Sequence, residues 1–340
     1  MDLRTAEFTI RDFEFASGGL LPELRLRYRT LGEPRRDASG AVCNAILILH
    51  GTTGSGAQFL RSSFADELFQ PGQLLDSERH FIILPDGIGH GGSSKPSDGM
   101  RLDFPRYGYR DMIRAQHLLL TEGLGIAHLR LVMGTSMGGM QTWLWGIHYP
   151  DFMDFLVPLA SLPAEIAGRN RIIRKMIMDS ISCDPAWRGG EYDEQPPGLI
   201  NAIHLLIMMT SCPRQWQVEA PTRAAADVFL AQRIRDYASM LDANDMLYAF
   251  AASEDYNPAP DLGRIKAPLL AINSADDQVN PPELGIMEAA IRQVERGRSV
   301  LLPIDEHTRG HGTHTLAGLW KHHLAAFLAE ADAGHCRPIQ

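Results

Sequence analysis

The stretch that most restricts how this chain can fold is Gly134-Thr135-Ser136-Met137-Gly138-Gly139-Met140-Gln141. It follows an apolar run, Leu129 to Met133, and opens a helical pattern from Thr142 to His148. A strand that turns abruptly into a helix, with Gly-x-Ser-x-Gly at the corner, holds the serine in a strained conformation and lifts its hydroxyl above the sheet. Side chains at Gly134 or Gly138 would collide where the helix crosses the strand, so both positions must be small. The five-residue pattern alone is a weak signal, and its surroundings decide how much it means.

Those surroundings alternate. Phe8 to Phe15 and Leu24 to Thr30 read as strands, followed by continuous apolar runs at Ala45 to Leu49, Phe81 to Leu84, Leu129 to Met133, Phe155 to Leu159, Pro268 to Ile272 and Ser299 to Pro303. Continuous runs suit strands buried on both faces of a parallel sheet. Helical patterns such as Tyr109 to Glu122 separate most of them, which implies an α/β sheet wound through crossovers. Between Leu159 and Pro268 the rhythm breaks and the patterns are helical. Ile172, Ile173, Met176, Ile177 and Ile181 form one apolar face, with Arg171, Arg174 and Lys175 opposite. Gly198 to Met209 and Thr222 to Leu241 also read as helices. The expected organisation is a core of residues 1–161 and 263–340 with a helical lid, 162–262, inserted after the sixth strand.

A serine hydroxyl needs a base to take its proton, and the base needs a carboxylate to fix its tautomer and stabilise its charged form. The chain supplies both downstream of Ser136. Asp277 follows the run Pro268 to Ile272, and His311 follows Ser299 to Pro303, each in a loop past a strand's carboxyl end. Asp276 competes with Asp277. Asp277 is preferred because it stands two residues before Val279 and four before Pro281, leaving Asp276 to cap the turn. Among His307, His311 and His314, His311 is preferred because it follows Gly310 in the loop. Thr313 reads as the N-cap of a helix from Leu316 to Leu328, which would place His314 in its first turn. The three histidines have a spacing similar to metal ligands, but no Glu or Cys completes a site, so no metal and no cofactor is expected. An oxyanion hole needs two backbone N–H groups. The expected donors are Met137, next to the nucleophile, and Thr52, in the loop His50 to Gly56 after the third core strand.

Together these features make the chain resemble the homoserine O-acetyltransferase family of α/β-hydrolases. The elbow is close to that family's Gly-Gly-Ser-Met-Gly-Gly-Met-Gln. Phe104 to Gln116, Leu124-Gly125-Ile126, Asp184 to Tyr192, Gly198-Leu199 and Asp242-Ala243-Asn244 also match it. The resemblance implies an α/β-hydrolase fold with a mostly parallel central sheet, and a homodimer formed through lid helices, for which Ile172 to Ile181 offers an apolar face. Two positions depart. Where the family carries an arginine for the homoserine carboxylate, this chain has Ile203 after Ala202, and where it carries an aspartate for the amine, this chain has Gly312. The oxyanion loop reads Gly51-Thr52-Thr53 in place of Ala-Leu-Thr. An α-amino acid needs partners for both charges. The expected activity is therefore hydrolysis of short acyl esters through an acyl-enzyme on Ser136, with acyl-CoA-dependent transfer to an alcohol as the alternative. Lid arginines such as Arg169 or Arg171 would have to take over recognition of an amino acid.

Charge and apolar content exclude other partners. With 32 basic and 41 acidic residues the net charge is −9, and no Lys/Arg run is present. Nucleic acid and anionic membranes are thus not expected partners; a small-molecule ester is. The first residues lack the apolar core of a signal peptide and no run reaches membrane-spanning length, so a cytoplasmic protein is expected. Cys43, Cys183, Cys212 and Cys336 are scattered and read as reduced thiols. Met176, Met178, Met208, Met209, Met240 and Met246 make the lid methionine-rich; they fill gaps between helices or line a pliable pocket. Trp143 and Trp145 read as core.

Overall fold

The computed structural model describes residues 2–334. Eight strands form one sheet: β1 Leu3–Glu14, β2 Leu20–Leu31, β3 Ala45–Leu49, β4 Phe81–Pro85, β5 Leu129–Thr135, β6 Met153–Leu159, β7 Leu269–Ser274 and β8 Gly297–Leu302. Their order is β1-β2-β4-β3-β5-β6-β7-β8. β1 and β2 are antiparallel additions at one edge, and the six strands from β4 to β8 run parallel. This is an α/β-hydrolase fold with a mostly parallel sheet.

The continuous apolar runs have a direct physical reading. In β3, Ala45, Leu47 and Leu49 enter one core layer while Ile46 and Ile48 enter the other. Strict alternation with no polar face requires cover on both sides. Helices α2 (Tyr109–Leu118) and α3 (Met137–His148) and the short α9 (Ile286–Ala290) cover one side; α1 (Ser62–Leu68) and α10 (Lys321–Gly334) cover the other. Trp143 and Trp145 are fully buried in the first layer, with indole N–H groups donating to Ser161 Oγ and Gln116 Oε1.

Between β6 and β7 the chain makes five helices: α4 Gly168–Ser182, α5 Pro197–Met209, α6 Pro213–Glu219, α7 Arg223–Ala238 and α8 Ala243–Ala251. They share a separate apolar cluster, in which Ile177, Ile181, Leu199 and Ile203 are central.

Two sequence expectations change. The helix expected to start near Leu316 begins at Lys321, because residues 310–315 and 317–319 form 3₁₀ turns. Thr313 does not cap it; its hydroxyl oxygen accepts the Arg309 N–H instead. On α4 the buried face is Arg174, Ile177, Met178 and Ile181, whereas Ile172 and Met176 face outward. Arg174 was expected on the polar face. The neighbours override the amphipathic pattern here, because α4 packs against both α5 and α8.

Candidate active site

Register brings the carboxyl ends of the parallel strands to one line. Leu49 of β3 lies opposite Gly134 of β5, Thr135 opposite Leu159 of β6, and Leu159 opposite Ile272 of β7. Ser136 sits at the corner of this edge with φ 55° and ψ −114°. A left-handed φ is costly for a residue with a Cβ and persists only where the surroundings enforce it. The enforcement is visible. A Cβ on Gly134 would lie 2.1 Å from the Gly138 carbonyl oxygen, and one on Gly138 would lie 1.9 Å from that of Leu49. Helix α3 therefore crosses the strands at a distance only glycine allows.

The two side chains expected from downstream loops converge on Ser136. His311 Nε2 lies 2.8 Å from Ser136 Oγ, and His311 Nδ1 lies 2.9 Å from Asp277 Oδ2. Asp277 is completely buried yet fully used. Its Oδ1 accepts the Val279 and Asn280 N–H groups, and its Oδ2 also accepts the Asn280 amide. Burial alone would raise its pKa; the adjoining His311 ring, with these donors, outweighs burial and keeps the carboxyl below its usual range. An anionic carboxylate on Nδ1 leaves Nε2 free to accept the serine proton. Asp276 points elsewhere: its Oδ1 accepts from the Ser274 hydroxyl and its Oδ2 from the Gly310 N–H, with the Cys212 thiol 3.5 Å away. It ties the histidine loop to the aspartate loop. His314 is half-buried against His311, with Nδ1 on the His311 carbonyl, and desolvation with the neighbouring ring lowers its pKa to about 3. His307 lies at the surface beside Glu306.

Met137 is the first residue of α3, so its N–H has no carbonyl one turn back. The loop after β3 runs alongside, with the Gly51 Cβ position 3.6 Å from Ser136 Cβ. Two histidines that sequence reasoning passed over hold this loop. The Gly87 N–H donates to His50 Nε2, so His50 Nδ1 carries the proton and donates to the Gly51 carbonyl at 2.8 Å. His90 places Nε2 2.7 Å from the Thr52 carbonyl and Nδ1 2.8 Å from the Ile88 carbonyl. Both rings are buried, and burial lowers both pKa values, that of His50 to about 4. No sequence spacing marks either residue, because the link is made through backbone carbonyls.

A cavity of about 890 Å³ opens above Ser136, between the strand edge and the inserted helices. Gly51, Thr52, Ser136, His311 and Gly312 form its floor; Leu206, Ile207, Met209, Met246 and Phe250 form apolar wall. Of the six lid methionines, Met209, Met240 and Met246 line it, Met178 packs in the helical cluster, and Met176 and Met208 face outward. Gly312 lines the cavity, but Ile203 does not; it is enclosed among the inserted helices. Arg169 reaches the Gln278 carbonyl and Arg171 pairs with Glu254, and neither borders the cavity. The cationic wall residue from α4 is Arg174, which only the helix's actual rotation reveals.

The chain matches the model of the alpha/beta hydrolase fold over residues 44–181. It is 33% identical to the homoserine O-acetyltransferase of Pelobacter propionicus, across 92% of this chain and 93% of that one. The chain belongs to the homoserine O-acetyltransferase-like family of α/β-hydrolases. Solved structures of the same fold include a homoserine O-acetyltransferase from Bacillus anthracis, at TM-score 0.83 and 21% identity over 96% of this chain and 98% of that one. An acetylester hydrolase from Corynebacterium glutamicum superposes equally well, at TM-score 0.83 and 23% identity over 96% of both chains. One fold, then, carries proteins named for transfer and proteins named for hydrolysis.

Proposed function

We propose that this family member is a serine hydrolase of short acyl esters. Ser136 Oγ attacks the ester carbonyl while His311 Nε2 takes its proton, and Asp277 stabilises the imidazolium formed. The Met137 and Thr52 N–H groups receive the oxyanion. The leaving alcohol departs with the proton from His311, and water, activated by the same ring, releases the acid. The observation that carries this reading is the unbroken contact from Asp277 Oδ2 through His311 to Ser136 Oγ at the floor of an open cavity. The helical insertion, residues 162–262, serves as its lid.

Water rather than homoserine is the acceptor in this reading. Gly312 puts no carboxylate on the floor beside Ser136, and the cavity's carboxylates, Asp236, Asp242 and Asp245, stand on the wall already engaged by Gln232, by Tyr192 and Gln195, and by Ser97 and Lys95; an ammonium left unpaired at the floor is costly. Ile203 is enclosed among the inserted helices and does not border the cavity. The second reading, acyl transfer from acetyl-CoA to an alcohol, draws on the family relatives named for that activity. The two share the acyl-enzyme and differ in what attacks it. Free acid and O-acetylhomoserine followed together, with acetyl-CoA and then a short aryl ester as donor, separate them. Release of acid with no gain from homoserine supports hydrolysis; saturable formation of O-acetylhomoserine overturns it.

A further inference from the structure

Arg174 is a buried cation with no carboxylate partner among the described residues. Only 3% of the residue is exposed. Its Nε donates to Asn170 Oδ1 at 2.8 Å and its Nη1 to Ser253 Oγ at 3.2 Å, both neutral acceptors. The guanidinium carbon lies 5.4 Å from the centre of the Phe250 ring. Nη2 makes no hydrogen bond, and it is not among the polar atoms sealed inside the protein. Arg174 lines the cavity that Ser136 opens into. Among the described residues no carboxylate pairs with it; the one group that favours its charge is the Tyr109 hydroxyl, a neutral oxygen close by that has no hydrogen-bond partner of its own, while Arg171 opposes it. Burial lowers its basicity, with only Tyr109 opposing. Of the other lysines and arginines on the cavity wall, Lys95 pairs with Asp245, Arg233 with Glu219, and Arg309 donates to the Glu306 and Thr308 carbonyls, while Arg61 is exposed and therefore solvated.

A desolvated guanidinium with an open donor is a costly thing to leave unpaired. Its planar fork matches a carboxylate, and an apolar surround strengthens that pairing. We propose that Arg174 is an anion-recognition residue of this cavity, and that the ester cleaved at Ser136 carries a carboxylate on its acyl or its alcohol side. The ester half of this statement rests on the hydrolase reading; the anion site does not.

The test therefore has a binding arm and two turnover arms. Glutarate is titrated into Ser136→Ala by calorimetry, and into Ser136→Ala combined with Arg174→Met. Saturable binding that the second substitution abolishes is expected. For turnover, kcat/KM is compared between 4-nitrophenyl hemiglutarate and 4-nitrophenyl hexanoate for the acyl side, and between O-acetyl-4-hydroxybutyrate and pentyl acetate for the alcohol side. In one arm the wild type should favour the acid by about tenfold or more, the size of a charged hydrogen bond. That ratio should fall toward one in Arg174→Met and to an intermediate value in Arg174→Lys, which keeps the charge without the fork. If the methionine variant does not fold, the wild-type ratios and the lysine variant decide. Preference for the neutral ester in both arms, or a ratio unmoved by substitution, sinks the proposal. Glutarate binding through Arg174 without turnover of any ester keeps the anion site and removes the hydrolase reading. Turnover of esters with no glutarate binding and no charge preference does the reverse.

Discussion

At the scale of single residues, the site depends on two adjacent carboxylates doing different work. Asp277 touches His311 and Asp276 does not. Asp277→Asn should let the wrong histidine tautomer form and lower kcat by about 10³–10⁴-fold. Asp276→Asn keeps an oxygen for the Gly310 N–H, so its loss should stay within about tenfold. Steady-state rates of both variants check this, and the reverse ranking would reassign the carboxylate. Ser136→Ala should remove turnover while leaving the thermal midpoint close to wild type or above it, since the methyl replaces a hydroxyl at a strained position. Turnover within tenfold of wild type would clear Ser136 of the nucleophile's role. Ser136, Asp277 and His311 were legible because each follows an apolar strand in a fixed chain order. His50, His90 and Arg174 were not, because their roles come from the loop's carbonyls and from how α4 is turned.

At the scale of elements, strand positions were legible wherever both faces are buried, as in β3, where Ala45 to Leu49 matches the strand end to end. Edges were less so: β1 begins at Leu3 rather than Phe8, since its outward residues are exposed and carry little pattern. The helix α8 poses a testable electrostatic question. Asp245 in its first turn is raised to about 6, chiefly by burial, although Ser97 donates to it and Lys95 lies 3.6 Å away. A carboxyl raised in the folded state stabilises the fold below its unfolded pKa, near 3.8, and that stability is lost as pH rises through 6. Asp245→Asn removes this loss. Relative to wild type it should gain about 1–3 kcal/mol between pH 4 and pH 8, less whatever the Lys95 contact contributed. Urea unfolding at the two pH values reads the difference directly. A pH-independent offset would mean that Asp245 is ionised across the whole range.

At the scale of the molecule, the inserted helices leave apolar side chains uncovered on their outer surface: Ile172, Met176, Met208, Val218, Val228 and Leu230 are exposed. Scattered singles need no explanation, but several on one inserted unit are the reason to test it as a contact surface. We expect two copies to associate through these helices, with Ile172→Glu and Met208→Glu shifting the population to single chains. Sedimentation at micromolar protein checks it; a single-chain mass for the unaltered protein removes the proposal.

The insertion between β6 and β7 also sets when the site can exist at all. Ser136 and His311 are 175 positions apart in the chain, with all five inserted helices between them. Closing a loop of that length costs conformational entropy that grows slowly with length but must be met before the contact returns anything. During synthesis the nucleophile's strand and helix emerge and can pack long before the base is made. Until β8 has joined the sheet beside β7, the serine stands at its corner with no acceptor for its proton. On the mechanism proposed above, a nascent chain that has not yet made His311 cannot cleave an ester, and competence waits for the last strand of the sheet.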